Sequence, residues 1–170
     1  MKQMPDALFA QGYGQTEASP IITALPPDFH VPGGDKLRSA GRAALGVEVA
    51  IFDKDDTERP RCEVGEICAR GPTVMLGYWG MEEASAEALR NGWLHTGDLG
   101  YMDEDGFVFI VDRVKDMIIS GGENIFSVEV ESAIYSHPAV QECAVVGIPH
   151  DEWVETVHAI VVPRQGHELA

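Results

Sequence analysis

The chain has 170 residues, of which 45% are hydrophobic, and its formal net charge is −16. Such an acidic surface repels nucleic acid and anionic membranes, which disfavours proteins that depend on binding either. No apolar run is long enough to span a membrane, and the first residues lack the apolar core of a secretory signal.

The three cysteines, Cys62, Cys68 and Cys143, are too few and too irregularly spaced for a disulfide framework or a zinc knuckle. We therefore expect reduced thiols that mostly pack in the interior of a cytoplasmic protein.

The first half of the chain predicts short strands joined by turns. The stretch GYGQTEASP, residues 12–20, has the composition of a turn. Apolar residues alternate over residues 47–52, which predicts a half-buried strand, and residues 65–71 are its expected hairpin partner. Residues 81–91 contain good helix formers and end before a glycine, which predicts a helix.

A second hairpin is predicted around Asp105 and Gly106, which stand between the strand-like segments LGYM and FVFIV. Residues 101–112 also partly fit a calcium loop. However, Tyr101 stands where an acidic ligand is expected, and strands rather than helices flank the loop. We therefore reject a calcium site here.

The last part of the chain predicts a small β-α-β-β piece. Ser127 is the expected N-cap of a helix that Pro138 ends. Two further strands are predicted over residues 140–149 and 157–163.

Four segments carry most of the chemical information, and each alone is a weak signal. The segments are GYGQTE at residues 12–17, GEICARGPTVMLGYW at 65–79, GWLHTGDLG at 92–100 and VDRVKDMIISGGENIFSVEVE at 111–131. In order and spacing they closely resemble the ANL superfamily of adenylate-forming enzymes, which includes acyl-CoA synthetases, adenylation domains of peptide synthetases and luciferases. The resemblance covers nearly the whole chain.

The resemblance implies an α+β fold in two parts. Residues 1–112 would be the strand-rich C-terminal part of the large domain, including a distorted β-barrel subdomain. Residues 113–170 would be an incomplete small C-terminal domain, the lid, with its hinge near Lys115.

The reaction of this family has two steps. A carboxylic acid attacks the α-phosphorus of ATP and pyrophosphate leaves, and a thiol, usually that of CoA, then displaces AMP from the acyl-adenylate. Charge builds on the phosphates in the first step, so cations and hydrogen-bond donors must be aimed there. The implied cofactors are ATP or AMP, Mg²⁺ and CoA.

The resemblance also implies roles for the turn at residues 12–20 and for Asp98. Tyr13 would pack on adenine, and Gly14 would let the backbone approach the nucleotide. Thr16 would bind the α-phosphate, and Glu17 would ligate Mg²⁺, a hard ion that prefers oxygen. Asp98 would accept hydrogen bonds from both ribose hydroxyls; read alone, it is a turn or cap residue.

Four later residues are assigned in the same way. Arg113 would reach the ribose and phosphate side of the nucleotide, although a surface ion pair is the alternative. Lys115 would be the hinge rather than a plain exposed lysine. Gly121 and Gly122 would line the tunnel for the pantetheine arm of CoA, or form a simple hairpin turn, or both.

Aromatic residues near these segments are expected to be structural. Tyr78, Trp79 and Trp93 are predicted to lie in the core, and His95 is predicted to be a packing group beside the nucleotide.

Two parts of the family pattern are missing from the sequence. No phosphate loop precedes residue 12, and no lysine follows Lys115. In addition, Val154 stands where the family usually has glycine. We therefore expect the chain alone to be inactive, because it lacks both catalytic lysine-bearing elements.

The favoured function is part of an ATP-dependent carboxylic acid–CoA ligase for a fatty or similar acid. One alternative is an adenylation domain that loads a carrier protein. Another is a non-catalytic nucleotide-binding or interaction module, and a plain structural domain is disfavoured. Uncovered apolar surface could also lead the chain to self-associate.

Overall fold

The computed structural model describes residues 7–166, and the chain divides into two compact units, Met1–Ile110 and Val111–Ala170. This division lies two residues before the domain boundary expected from the sequence. None of the described helices is long and apolar enough to cross a membrane.

The first unit begins with a small antiparallel sheet. Its strands, in spatial order, are β1 (Gln11–Tyr13), β2 (Thr23–Leu25) and β3 (Arg42–Ala43). The loop between β1 and β2 contains one 3-10 turn, Thr16–Ala18. The predicted turn at residues 12–20 is therefore the end of β1 and the loop that follows it.

The second sheet of this unit has four strands in sequence order: β4 (Glu48–Phe52), β5 (Gly65–Arg70), β6 (Leu94–Met102) and β7 (Val108–Arg113). The pairing of β4 with β5 is antiparallel, as predicted. Helix α1 (Glu82–Ala88) and a 3-10 turn (Arg90–Gly92) precede β6, close to the predicted helix.

Two clusters of apolar side chains form the core of this unit, and Tyr13 packs against both. Their buried members come from strands and loops far apart in sequence, so burial of this apolar surface is what holds the sheets together. The first cluster is Ala18, Ile22, Val47, Ala69 and Leu94, and the second is Ile51, Ile67, Met102 and Val108.

The second unit contains one more hairpin than the predicted β-α-β-β piece. Its elements are β8 (Ile118–Ser120), β9 (Glu123–Ile125), α2 (Ser127–Tyr135), β10 (Val140–His150) and β11 (Val154–Pro163). The sheet order is β10-β11-β8-β9, and α2 packs against β10.

Three structural expectations were wrong. No closed barrel forms among residues 7–166, because the strands lie in three open sheets. Phe126, not Ser127, is the N-cap of α2, and the Ser127 hydroxyl instead donates to Oδ2 of Asp112 at 3.0 Å. Tyr78 and Trp79 are not core residues: they are 37% and 100% exposed.

Candidate functional site

The loop after β1 brings four of the expected site residues together. The backbone N–H of Ile22 donates to the carbonyl of Tyr13 at 2.8 Å and closes the loop. A Cβ on Gly14 would overlap the carbonyl oxygen of Pro20, so only glycine fits at this close approach. Thr16 and Glu17 follow in the 3-10 turn, where Thr16 is exposed.

Tyr13 and Asp98 meet directly although 85 residues separate them. The Tyr13 hydroxyl donates to Oδ2 of Asp98 at 2.8 Å. Burial raises the pKa of Tyr13, and the neighbouring Asp98 carboxylate raises it further, so the hydroxyl stays protonated as a donor. The aromatic ring of Tyr13 and the carboxylate of Asp98 thus lie side by side.

A local irregularity in β6 sets the position of Asp98. The pairing of β5 with β6 shifts register between Glu66 and Cys68. Gly97 takes a φ of 75° there, and its N–H donates to Oε1 of Glu66 at 2.9 Å. The N–H of Asp98 donates in turn to the Thr96 hydroxyl oxygen at 3.1 Å. Bulges of this kind redirect a side chain out of the regular pleat.

Glu17 is held by a residue that the sequence reading assigned to the core. The Tyr78 hydroxyl donates to Oε1 of Glu17 at 2.8 Å, and this hydrogen bond raises the pKa of Tyr78. Ser85 of α1 accepts from the N–H of Tyr78 at 2.8 Å and fixes its backbone. The residue type alone indicates such a contact, because the hydroxyl of a tyrosine usually finds a hydrogen-bond partner.

Glu17 fits a magnesium ligand by its donor chemistry. Mg²⁺ takes oxygen ligands and is usually held by one or two carboxylates together with phosphates and waters. The Tyr78 hydrogen bond engages Oε1 and leaves Oε2 for another ligand.

The remaining predicted residues belong to the second unit. Arg113 ends β7, and both Arg113 and Lys115 are exposed. Gly121 and Gly122 form the turn between β8 and β9, with φ angles of 59° and 86°. Positive φ at both central residues is typical of a type I′ hairpin turn, which confirms the turn and leaves the tunnel role a prediction.

Comparisons with known proteins agree with the resemblance. A family model described as AMP-binding enzyme matches residues 1–79, and a model described as AMP-binding enzyme C-terminal domain matches residues 129–170.

Two curated relatives illustrate the range of acids and acceptors. A fatty acid–[acyl-carrier-protein] ligase, ScoC, of Streptomyces coeruleorubidus is 47% identical over 163 residues, which cover 96% of this chain and 31% of that protein. A feruloyl-CoA synthase of an Amycolatopsis species is 47% identical over 161 residues, which cover 95% of this chain and 32% of that protein. The chain thus spans about a third of the length of the curated relatives it matches.

A solved structure matches the fold closely. The o-succinylbenzoate CoA synthetase of Bacillus subtilis, in complex with its acyl-adenylate intermediate, superposes with a TM-score of 0.83 at 43% identity. The match covers 94% of this chain and 32% of that one. The same enzyme has been solved with ATP and a magnesium ion, and that structure gives a TM-score of 0.81 at 41% identity, with the same two coverages.

Proposed function

The chain belongs to the AMP-binding enzyme family, within the ANL superfamily of adenylate-forming enzymes, and on that premise we propose that it is part of an ATP-dependent carboxylic acid–thiol ligase. The whole protein would form an acyl-adenylate and then a thioester with CoA. We place it in the cytoplasm and expect a fatty or similar acid, as the names of several relatives suggest.

The contact between Tyr13 and Asp98 is the observation that carries this proposal. Asp98 would accept hydrogen bonds from the two ribose hydroxyls, since an ionised carboxylate offers several acceptor sites. Tyr13 would present its ring to adenine while its hydroxyl orients Asp98. Gly14 would admit the nucleotide to the backbone, and Thr16 would donate to the α-phosphate.

Glu17 would hold Mg²⁺, which neutralises charge on the phosphates when bound. Arg113 would contact the ribose and phosphate side of the nucleotide, and Lys115 would be the hinge on which the small domain turns. Gly121 and Gly122 would line the path of the pantetheine thiol, where a side chain would obstruct it.

A carrier protein is the second candidate for the thiol donor. ScoC, a relative at 47% identity, is named as a ligase for an acyl carrier protein, whose acceptor is also a thiol. Thioester formation by the whole protein, assayed separately with CoA and with a carrier protein, distinguishes the two.

Calorimetric titration of AMP into the folded chain tests the nucleotide site. We expect wild-type binding, and we expect Asp98→Ala to weaken it by about 10- to 100-fold, because hydrogen bonds to a charged group are lost. Asp105→Ala is the matched control, since it removes an exposed carboxylate from a turn in the same unit. Equal affinity of Asp98→Ala and wild type, or no binding by a folded wild-type chain, would contradict the assignment.

A further inference from the structure

A second cluster of chemically active side chains lies between β5 and β6. Glu66 and Cys68 are two residues apart on β5, so they share one face, and His95 lies opposite Cys68 in the register of β6. One donor atom from each residue lies within 4.8 Å of the others. Cys68 is fully buried and His95 is 9% exposed.

Two of the donor atoms, from Glu66 and Cys68, lie close to one nitrogen of the His95 imidazole. Nδ1 of His95 lies 2.8 Å from Oε2 of Glu66 and 3.3 Å from the Cys68 sulfur. A single proton on Nδ1 cannot form a good hydrogen bond to both the Glu66 oxygen and the Cys68 sulfur. A small cation among the three atoms would satisfy all of them, and thiolate, imidazole and carboxylate are the three ligand types that zinc takes in proteins.

The opposite edge of the imidazole faces a carboxylate. Nε2 of His95 lies 3.8 Å from Oδ1 of Asp56. Asp56 is itself held by Asn91 Nδ2 at 2.7 Å and by Arg90 Nε at 3.1 Å. A carboxylate behind a ligating histidine fixes its tautomer and raises its basicity, and this arrangement is common at protein metal sites.

The charges of the cluster also favour a divalent cation. Asp56 and Glu66 contribute two negative charges, and the Arg90 guanidinium compensates only one. A divalent ion bound through the Cys68 thiolate would leave the cluster electrically neutral.

We propose that Glu66, Cys68 and His95 form a zinc-binding site, with water as the fourth ligand and Asp56 as the carboxylate that orients His95. Binding forms a bond between zinc and the Cys68 sulfur and releases one proton to solvent. Oε2 of Glu66 exchanges its contact with Arg90 for the metal, while Oε1 keeps its hydrogen bond from Gly97. The ion would tie β5 to β6 beside the bulge that carries Asp98. This proposal does not depend on the nucleotide site.

A cobalt titration tests the site directly, because Co²⁺ can replace zinc and reports thiolate ligation by a charge-transfer absorption band. The chain to use is Cys62→Ser/Cys143→Ser, in which Cys68 is the single remaining cysteine. We expect a saturable band at one equivalent of Co²⁺, bleached by Zn²⁺. We expect no band after the further change Cys68→Ser. Absence of the band in the double variant, with folding verified by circular dichroism, overturns the proposal.

Thermal unfolding supplies a measurement that does not require altering the cysteines. We expect Zn²⁺ to raise the unfolding midpoint of the wild-type chain and of His150→Gln, an exposed control, but not of His95→Gln. We expect Asp56→Asn to weaken zinc binding by about 10- to 100-fold. A zinc-induced shift that is the same in His95→Gln as in wild type contradicts the site.

Discussion

At the scale of single residues, two carboxylates of the candidate site are each fixed by a tyrosine hydroxyl. Tyr13 donates to Asp98, and Tyr78 donates to Glu17, both at 2.8 Å. Each carboxylate is therefore oriented before any ligand arrives, which lowers the entropy lost on binding.

Tyr78→Phe tests whether the orientation of Glu17 by the Tyr78 hydroxyl strengthens Mg²⁺ binding. The change removes one hydrogen bond to Glu17, worth about 0.5–1.5 kcal/mol, so we expect half-saturation with Mg²⁺ to need about 2- to 10-fold more metal. The measurement is ATP binding by the whole protein at varied Mg²⁺ concentration.

Tyr101→Phe is the control, since it also removes one phenolic hydroxyl from the first unit. In a Glu17→Gln background, Tyr78→Phe should have no further effect. An equal loss of ATP affinity at every Mg²⁺ concentration would show that Tyr78 acts only on packing.

Val154 is a strained residue in the second unit. Its φ is 70°, a left-handed conformation that β-branched residues rarely adopt. The family resemblance implies glycine at this position, and glycine takes such angles without steric cost. We therefore expect Val154→Gly to stabilise the fold by about 1 kcal/mol. The change relieves backbone strain, and this gain exceeds the cost of the conformational entropy that glycine loses on folding.

Urea unfolding of the second unit, followed by circular dichroism, measures this change. Val157→Gly, inside the same strand, is the control and should destabilise, because glycine in a strand interior loses more conformational entropy on folding than valine does. A loss of stability in Val154→Gly would contradict the prediction, because it would mean that the positive φ of Val154 carries little strain energy.

At the scale of elements, local patterns predicted the hairpins well and the sheet order poorly. Alternating apolar residues predicted β4, and Asp105 with Gly106 predicted the turn between β6 and β7, because both signals lie within a few residues. The placement of β8 beside β11 rests on one pairing, Val154 with Ser120, across a long stretch of chain. The contact of Tyr78 with Glu17 likewise spans 61 residues and leaves no local pattern.

The hairpin turn between β6 and β7 is stabilised by an ion pair that also explains its acidic residues. Lys36 Nζ lies 2.7 Å from Oδ2 of Asp103, whose Oδ1 accepts from the N–H groups of Asp105 and Phe107. Burial alone would raise the pKa of Asp103, but these hydrogen bonds lower it below its ordinary value. Asp103 therefore accepts the hydrogen bonds that close the turn and also forms the ion pair with Lys36.

We expect Asp103→Asn to destabilise the fold near neutral pH and to match wild type in acid. A carboxyl whose folded pKa is depressed contributes stability above its unfolded pKa of about 3.9, and that stability is lost as pH falls through the folded value. Urea unfolding at pH 7 and at successively lower pH measures the difference. Glu104→Gln, at the exposed next residue, is the control; a pH-independent difference for Asp103→Asn would contradict the assignment.

At the scale of the whole molecule, an exposed apolar face favours self-association, and the strong negative charge of the chain opposes it. The register of β10 with β11 puts Val146, Ile148, Ile160 and Val162 on one side of their sheet, and these residues are 39–57% exposed. The net charge of −16 repels a second copy of the chain. Salt screens that repulsion while leaving the apolar attraction.

We therefore expect the chain to self-associate through this face as ionic strength rises from about 0.05 M to about 0.5 M. Sedimentation velocity at both ionic strengths measures the change. Ile160→Glu should keep the chain monomeric, whereas Val128→Glu, on α2 and 46% exposed, should not. A monomer at every salt concentration would contradict the prediction.

Gly14 limits how the gene for this protein can change. Its backbone lies so close to the Pro20 carbonyl that any side chain would collide with it. Every change in the first two bases of a glycine codon encodes a side chain or a stop. In a population of random variants selected for a working nucleotide site, the codon for Gly14 should therefore vary only silently, while that of exposed Glu104, outside the site, has more room to drift.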